Sequence, residues 1–347
     1  MGCVLIDNHH SELTYSLELL FGRRLGYKVF YPIGPEWYEK GFWKVYDHPN
    51  TVRQYLGTHR ADPSVYSRPF IPTGSGEEVP DPRFHYCWDP TKNIFERAVT
   101  FENFLKNPPD FIVASIPKHV PCFNELIRRY CSRSKLIFQL GNMFSDFSLK
   151  GVKNVLNSTE RRIPFYVRSV KYSQEFDLGF FSFSAPAYSK KVVNLAHYSS
   201  DAELYQKTKK CLPEFTFEAF GAGNESGSIA KTQDVAAKMC EADFIWHLKE
   251  GGDGYGHVLH NAAAIGRPAI LSRRTYKKLR FGKFLEDGKT CIKVDGLSAE
   301  ELAKEIRYYS EPSRLEKMSR ALHERFCNLV NFDRDEKNIR RFLEKLR

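Results

Sequence analysis

The chain has 347 residues, and 52 lysines and arginines against 42 aspartates and glutamates leave a formal net charge of +10. With 42% hydrophobic and 14% aromatic residues it is neither disordered nor of low complexity, and it is long enough for about two ordinary domains. A mean hydropathy of -0.47, with no apolar run near the roughly 20 residues that a membrane span needs, argues against a transmembrane protein.

The opening Met1-Gly2-Cys3-Val4-Leu5-Ile6-Asp7 carries no basic region and too short an apolar stretch for a secretion signal, so a cytoplasmic protein is expected. Its eight cysteines are scattered without a C-x-x-C pair, which suits reduced thiols better than a zinc ribbon or a redox pair. Cys3–Ile6 reads as a strand, Glu12–Leu25 as a helix with Leu13, Leu17, Leu20 and Phe21 at helical spacing, and Tyr27–Ile33 as the next strand. From Gly34 to about Asn93 the periodicity dissolves into proline, glycine, histidine and aromatic residues, as in an irregular insertion.

Alternation then resumes. Ile94–Lys106 reads as helix, Phe111–Ile116 as strand, Val120–Cys131 as helix, and Lys135–Leu140 and Val152–Leu156 as strands. A second series follows, with strands at Val192–His197, Phe215–Phe220, Asp243–Leu248, Pro268–Leu271 and Cys291–Val294. Helices lie between them at Ala202–Cys211, Ile229–Glu241, after Gly254, and at Ala299–Tyr309. These runs imply two Rossmann-like domains, 1–172 (with the insertion at about 34–93) and 191–330, joined by a linker at 173–190 and followed by a C-terminal helix in 331–347.

The charge is uneven, with a net +2 over residues 1–150 and +8 over the remainder. Its densest run, Arg273-Arg274-Thr275-Tyr276-Lys277-Lys278-Leu279-Arg280-Phe281-Gly282-Lys283, would suit phosphates or anionic lipid, although a solvated helix face is the plainer reading of any one charge run.

The segment from Trp246 to Ile270 carries the most chemistry. It passes from a strand through Lys249-Glu250-Gly251-Gly252-Asp253-Gly254-Tyr255-Gly256 into a helix beginning near His257, then through Gly266-Arg267-Pro268 into another strand. Such glycines let backbone approach a ligand closely, and a helix start offers N–H groups and a positive dipole end to a diphosphate. At about 100° per residue, Asp253, His257, His260 and Asn261 fall on one face.

Asp253-Gly254-Tyr255-Gly256 followed by Ala262-Ala263-Ala264-Ile265-Gly266-Arg267-Pro268 resembles the donor-site motif of GT-B glycosyltransferases, with Asn261 at the second acidic position. The resemblance is specific over about 192–295. It implies an α/β chain of the GT-B fold, with two Rossmann-like domains facing a central cleft and a final helix that crosses back to the first domain, acting as a metal-independent glycosyltransferase that needs no cofactor beyond a nucleotide-sugar donor, best read as a UDP-sugar.

The donor-binding set it implies is His197, Lys249, Glu250, Gly251, Gly252, Gly254, Tyr255, Gly256, His257 and Asn261, with Asp253 beside the sugar as a catalytic candidate. A basic residue commonly holds the diphosphate near the position of His197, where none stands, so Lys249 or the Arg273–Arg274 pair is expected to substitute. His9 and His10, after the first strand, are candidate bases, because imidazole titrates near neutrality. His119, and Asn142 with Asp146, hold equivalent but weaker positions.

Arg273, Arg274, Lys277, Lys278, Trp37 and Trp43 would contact an acceptor or polyanion, Trp37 and Trp43 by ring stacking. The expected partners are a nucleotide sugar and, as acceptor, a hydroxymethylated base in duplex DNA. A surface or lipid-linked glycan at an anionic membrane is the alternative acceptor. Outside the enzyme class, the alternative is a non-catalytic module that binds a nucleotide or nucleic acid. Asp333-Arg334-Asp335 is read as an incidental D-x-D.

Overall fold

A computed structural model describes residues 2–7, 11–32, 70–72, 78–80, 98–99, 101–141, 149, 151–195, 202–221, 224–227, 229, 232–249 and 252–347. They form two units. One takes in the described residues up to Glu175 together with Phe332–Arg347, and the other takes in Phe176–Asn331. Residues 173–190 therefore divide between the two at Glu175 and Phe176.

The first unit is built on seven strands: β1 (Cys3–Ile6), β2 (Lys28–Pro32), β5 (Ala98–Val99), β6 (Phe111–Ala114), β7 (Lys135–Leu140), β8 (Asn154–Asn157) and β9 (Arg168–Lys171). They pair in the order β5-β2-β1-β6-β7-β8-β9, all parallel. A hairpin of β3 (Phe70–Pro72) and β4 (Glu78–Pro80) stands apart from it. The period of two along each strand explains why the runs are continuously apolar. Val4, Ile6, Phe111, Val113 and Ile137 enter one core, while Leu5, Ile112, Ala114, Leu136 and Phe138 enter the other.

Helix α1 (Ser11–Glu18), continued by a π-helical turn at Leu19–Arg24, brings Leu17, Leu20 and Phe21 to the first face. Helices α2 (Phe101–Lys106) and α3 (Val120–Tyr130) cover the second with Phe101, Phe104, Phe123 and Leu126. One expectation needs correction here. Ile94–Lys106 is not one helix, because Ala98–Val99 pairs with Tyr31–Pro32 as an edge strand before α2 begins. Strand β9 lacks the apolar run that marks the others, because it is a largely exposed edge whose side chains need not be apolar.

The second unit has five parallel strands in the order β11-β10-β12-β13-β14. These are β10 (Lys191–Asn194), β11 (Thr216–Ala219), β12 (Phe244–Trp246), β13 (Ala269–Leu271) and β14 (Cys291–Lys293). Between and after them run α4 (Ala202–Cys211), α5 (Thr232–Glu241), α6 (His257–Ile265), α7 (Arg273–Tyr276), α8 (Ala299–Tyr309) and α9 (Pro312–Leu329). Val192, Phe217, Trp246, Ile270 and Ile292 pack with Tyr205, Leu302, Ile306 and Met318 in one core. At the far end of α6 the fully buried Arg267 donates to the carbonyls of Ser184, Ala185 and Cys240 at 2.8–2.9 Å, so its charge is met by oriented dipoles.

The last helix, α10 (Phe332–Glu344), belongs to the first unit and lays Ile339, Phe342 and Leu343 on the same face as α1. Its acidic start is used structurally. Asp333 pairs with Arg24 at 2.6 Å, and the Asp335 carboxylate accepts from the Ser173 N–H at 2.7 Å. No described helix is long and apolar enough to cross a membrane.

Ile339→Ala is expected to cost about 2–5 kcal/mol, because it hollows a fully buried contact between α10 and the sheet. Asp335→Ala should cost about 1–3 kcal/mol by leaving the Ser173 N–H unsatisfied. Urea denaturation of each variant checks both.

Candidate functional site

In the second unit β10 lies between β11 and β12, so the chain leaves β10 toward one side and returns to β12 on the other. A crevice at the carboxyl ends of such strands is where open parallel sheets receive ligands. β12 runs straight into the glycine-rich segment, which places His247, Leu248 and Lys249 at that edge.

Two glycines shape the loop. Gly252, at φ 74°, donates its N–H to the Lys249 carbonyl at 2.9 Å. A Cβ there would lie 2.8 Å from Leu279 Cδ1 and 2.9 Å from Thr275 Cγ2, so the loop lies against the chain that follows β13. Gly256, at φ 82°, is the N-cap of α6 and supplies no side-chain cap. Gly256 has no side chain to accept from the first N–H groups of α6, and the helix dipole adds positive potential at this end.

Asp253 is the polar centre of the loop. The carboxylate can only accept, so the His247 Nε2–H donates to its Oδ2 at 2.6 Å, Lys249 Nζ donates to its Oδ1 at 2.7 Å, and the Tyr276 hydroxyl donates to Oδ2 at 3.2 Å. Burial alone would raise this carboxyl; the His247 and Lys249 contacts outweigh it and hold the group well below the usual carboxylate range. Burial, with the Asp253 carboxylate beside it, pushes the Tyr276 phenol far up.

The expected polar stripe on α6 needs correction. His260 does not face a ligand edge. It is fully buried, stacked on Tyr255 at 4.0 Å between ring centroids, and edge-on to Phe281 and Phe284. Its Nδ1–H donates back to the Gly256 carbonyl at 2.9 Å. The stripe fails because α6 is buried on almost every side from Leu259 onward, so its polarity is confined to its first turns.

His257 is half-buried at the edge of the Tyr255 ring, with centroids 5.2 Å apart. Asn261 is buried, and its Oδ1 meets no hydrogen-bond partner among the described residues. Gly254 lies between Asp253 and the buried Tyr255. Glu250, Gly251, His197, His9, His10, Trp37 and Trp43 lie outside the described residues, as do Asn142 and Asp146.

The basic run is placed by α7. Ser272 caps it by accepting from the Thr275 N–H, and Asp295 receives the Ser272 hydroxyl at 2.6 Å and the Arg274 N–H at 3.0 Å. Tyr276 and Leu279 are buried, with Leu279 and Thr275 against Gly252, whereas Arg273, Arg274, Lys277 and Lys278 are exposed.

In the first unit the corresponding strand ends, β1 and β6, hold a buried pair. Asp7 Oδ2 accepts from the N–H groups of Ser115 and Ile116 at 3.0 and 3.3 Å, and His119 Nδ1 lies 3.0 Å from it. Sequence reasoning noted Asp7 and His119 separately. It missed His247 and Tyr276, whose signal was only their positions at the ends of β12 and α7.

No protein-family model matches the chain, and no curated protein matches it in sequence. Solved structures do. The chain is similar to Anabaena Alr3699/HepE in complex with UDP and glucose, at 12% identity and a TM-score of 0.62, covering 99% of this chain and 100% of that one. It is similar to a glycosyltransferase from Rickettsia africae at 10% identity and a TM-score of 0.59, covering 99% and 98%. Sucrose-phosphate synthase from Thermosynechococcus elongatus matches at 12% identity and a TM-score of 0.58, again covering 99% and 98%. The chain thus has the α/β fold of the GT-B glycosyltransferases, as the Asp253–Pro268 resemblance implied.

Burial lowers the His260 imidazole to about 3 from 6.5, while the Gly256 carbonyl pulls it the other way. The unfolded chain takes up this proton near 6.5 and the folded chain only near 3, so this part of the stability is intact above 6.5 and is lost as pH falls through that window. His260→Phe, which keeps an aromatic ring in the stack, is expected to flatten the decline in urea midpoint between pH 6.5 and 4.

Proposed function

We propose that the protein is a glycosyltransferase that moves a sugar from a nucleotide-sugar donor to an acceptor hydroxyl, and that the second unit binds the donor. One observation carries this reading: the start of α6 at Gly256, which has no side-chain cap, stands at the carboxyl edge of the sheet next to the ordered cluster of His247, Lys249 and Asp253. A donor diphosphate at that helix end would be held by backbone N–H groups, an interaction worth up to about 2 kcal/mol from the dipole alone in a partly buried site. His257 and Asn261, further along the same helix, would meet hydroxyls of the attached rings. A UDP-sugar is the proposed donor, since Anabaena HepE, similar over its whole length, was solved with UDP and with UDP-glucose.

The first unit, with Asp7 and His119 at its own strand ends, would receive the acceptor. The exposed Arg273, Arg274, Lys277 and Lys278 support a polyanionic acceptor, for which hydroxymethylated DNA is the finer reading. Binding to duplex DNA that falls steeply with salt and exceeds binding to anionic vesicles would sustain that choice. The reverse order would favour a lipid-linked acceptor.

Titration calorimetry with UDP, GDP, ADP and TDP tests the donor reading, and UDP is expected to bind most tightly. Gly252→Ala forces a left-handed residue and a clash with Thr275 and Leu279; strain of about 1–3 kcal/mol should weaken UDP by about five- to 150-fold. Sugar transfer or slow hydrolysis of UDP-glucose, persisting in EDTA, is expected. If no nucleotide binds, the donor reading is wrong, and if nucleotide binds without any turnover the chain is a binding module instead.

A further inference from the structure

We propose that the amino edge of the first unit's sheet is a membrane-docking surface, on which Phe165 and Tyr166 enter the interface of an anionic lipid bilayer while the cations beside them meet its headgroups. The proposal stands on the first unit alone and does not depend on the donor reading.

The two rings are turned away from the core by a rigid turn. The Pro164 carbonyl accepts from the Val167 N–H at 3.0 Å, which puts Phe165 and Tyr166 at the apex of a tight turn over 164–167. Phe165 is 101% exposed and Tyr166 71%, and the rings meet edge to face with centroids 5.7 Å apart. The chain on either side is held firmly. Val167 is buried in the second core with Ile163 packed against it, and the Arg168 N–H donates to the Lys153 carbonyl at 2.9 Å. The fold thus keeps two large apolar groups in water, at a cost in hydrophobic free energy and with no gain to the core.

The parallel topology adds to them. All strands of this sheet run the same way, so the segments that lead into them share one edge. The four neighbours β6, β7, β8 and β9 span about 15 Å there. Leu105, before β6, and Tyr130, before β7, are each 40% exposed. Arg133, Lys153 and Arg168, at the entries to β7, β8 and β9, are exposed as well. Over 105–110, 130–134, 151–153 and 164–168 the one acid is Asp110, whose Oδ2 already accepts the Cys3 N–H at 2.8 Å.

The shape and charge select the partner. A ring that protrudes from a turn needs a matching pocket on a rigid protein, whereas a bilayer yields to it, and amphipathic rings are favoured at the headgroup boundary. Cations around such rings are drawn to anionic lipid. A second copy of the chain fits poorly, because the outer strand β9 exposes Arg168 and Lys171, and charged edges oppose strand pairing. The Asp7–His119 pair lies at the opposite, carboxyl edge of the same sheet, away from the docked face.

Co-sedimentation of the full-length protein with phosphatidylglycerol–phosphatidylcholine vesicles, and with vesicles of phosphatidylcholine alone, tests this. Binding to the anionic vesicles should be at least tenfold the stronger and should fall with salt. Phe165→Ser combined with Tyr166→Ser should weaken it at least tenfold, and Lys153→Gln and Arg168→Gln about fivefold each. The urea midpoint of the double serine variant should match wild type, because neither ring is buried. In Phe165→Trp, anionic vesicles should shift the added emission to the blue, and brominated acyl chains should quench it.

Absence of binding to anionic vesicles overturns the proposal. So does binding that survives the loss of both rings, binding lost instead in Arg273→Gln with Arg274→Gln, or Phe165→Trp emission that vesicles leave unmoved. A double serine variant that loses duplex DNA and not vesicles would give the surface to nucleic acid. UDP binding should be the same in that variant as in wild type, so failure of the donor reading is a separate result. With both rings removed, the comparison of duplex DNA with vesicles reports on the Arg273–Lys278 run alone.

Discussion

The second unit depends on one constraint: α6 must start at Gly256 without a side-chain cap. Most helices satisfy their first N–H groups with a serine, threonine or aspartate oxygen. Ser298 with Glu301 does so by a reciprocal capping box on α8, whereas α3, like α6, starts without a side-chain cap. At Gly256 a left-handed residue replaces the cap, and α6 opens toward the carboxyl edge of the sheet.

The surroundings of that end are organised to tolerate charge. His247, Lys249 and Tyr276 converge on Asp253 from the end of β12, the loop and α7, so one carboxylate ties three successive segments together. Further along α6, Tyr255 and His260 stack and fix the first turn against Phe281 and Phe284. Beyond its other end, Arg267 anchors the chain that enters the second unit. The helix is thus held along its length by polar and aromatic contacts.

Much of this was legible in the amino-acid sequence. Strands such as Phe111–Ala114 and Lys135–Leu140 sit in the middle of a parallel sheet, where both faces demand apolar side chains, and the resulting runs are unmistakable. Edge strands obey no such demand, so Ala98–Val99 reads as part of a helix and Arg168–Lys171 carries no apolar strand signal. The glycine loop and α6 were visible from spacing alone. The partners of Asp253 were not, because Tyr276 is brought to it across 23 positions of chain by packing that no local pattern encodes. His260 misled for a related reason: helical periodicity shows which residues share a face, but not whether that face meets a ligand or an aromatic core.

The most direct measurement is a crystal structure of the protein soaked with UDP. The account predicts the diphosphate at the start of α6, within hydrogen-bond distance of the first-turn N–H groups, with Asp253 still held by His247. A nucleotide seated elsewhere, or a diphosphate that leaves the start of α6 untouched, would contradict it.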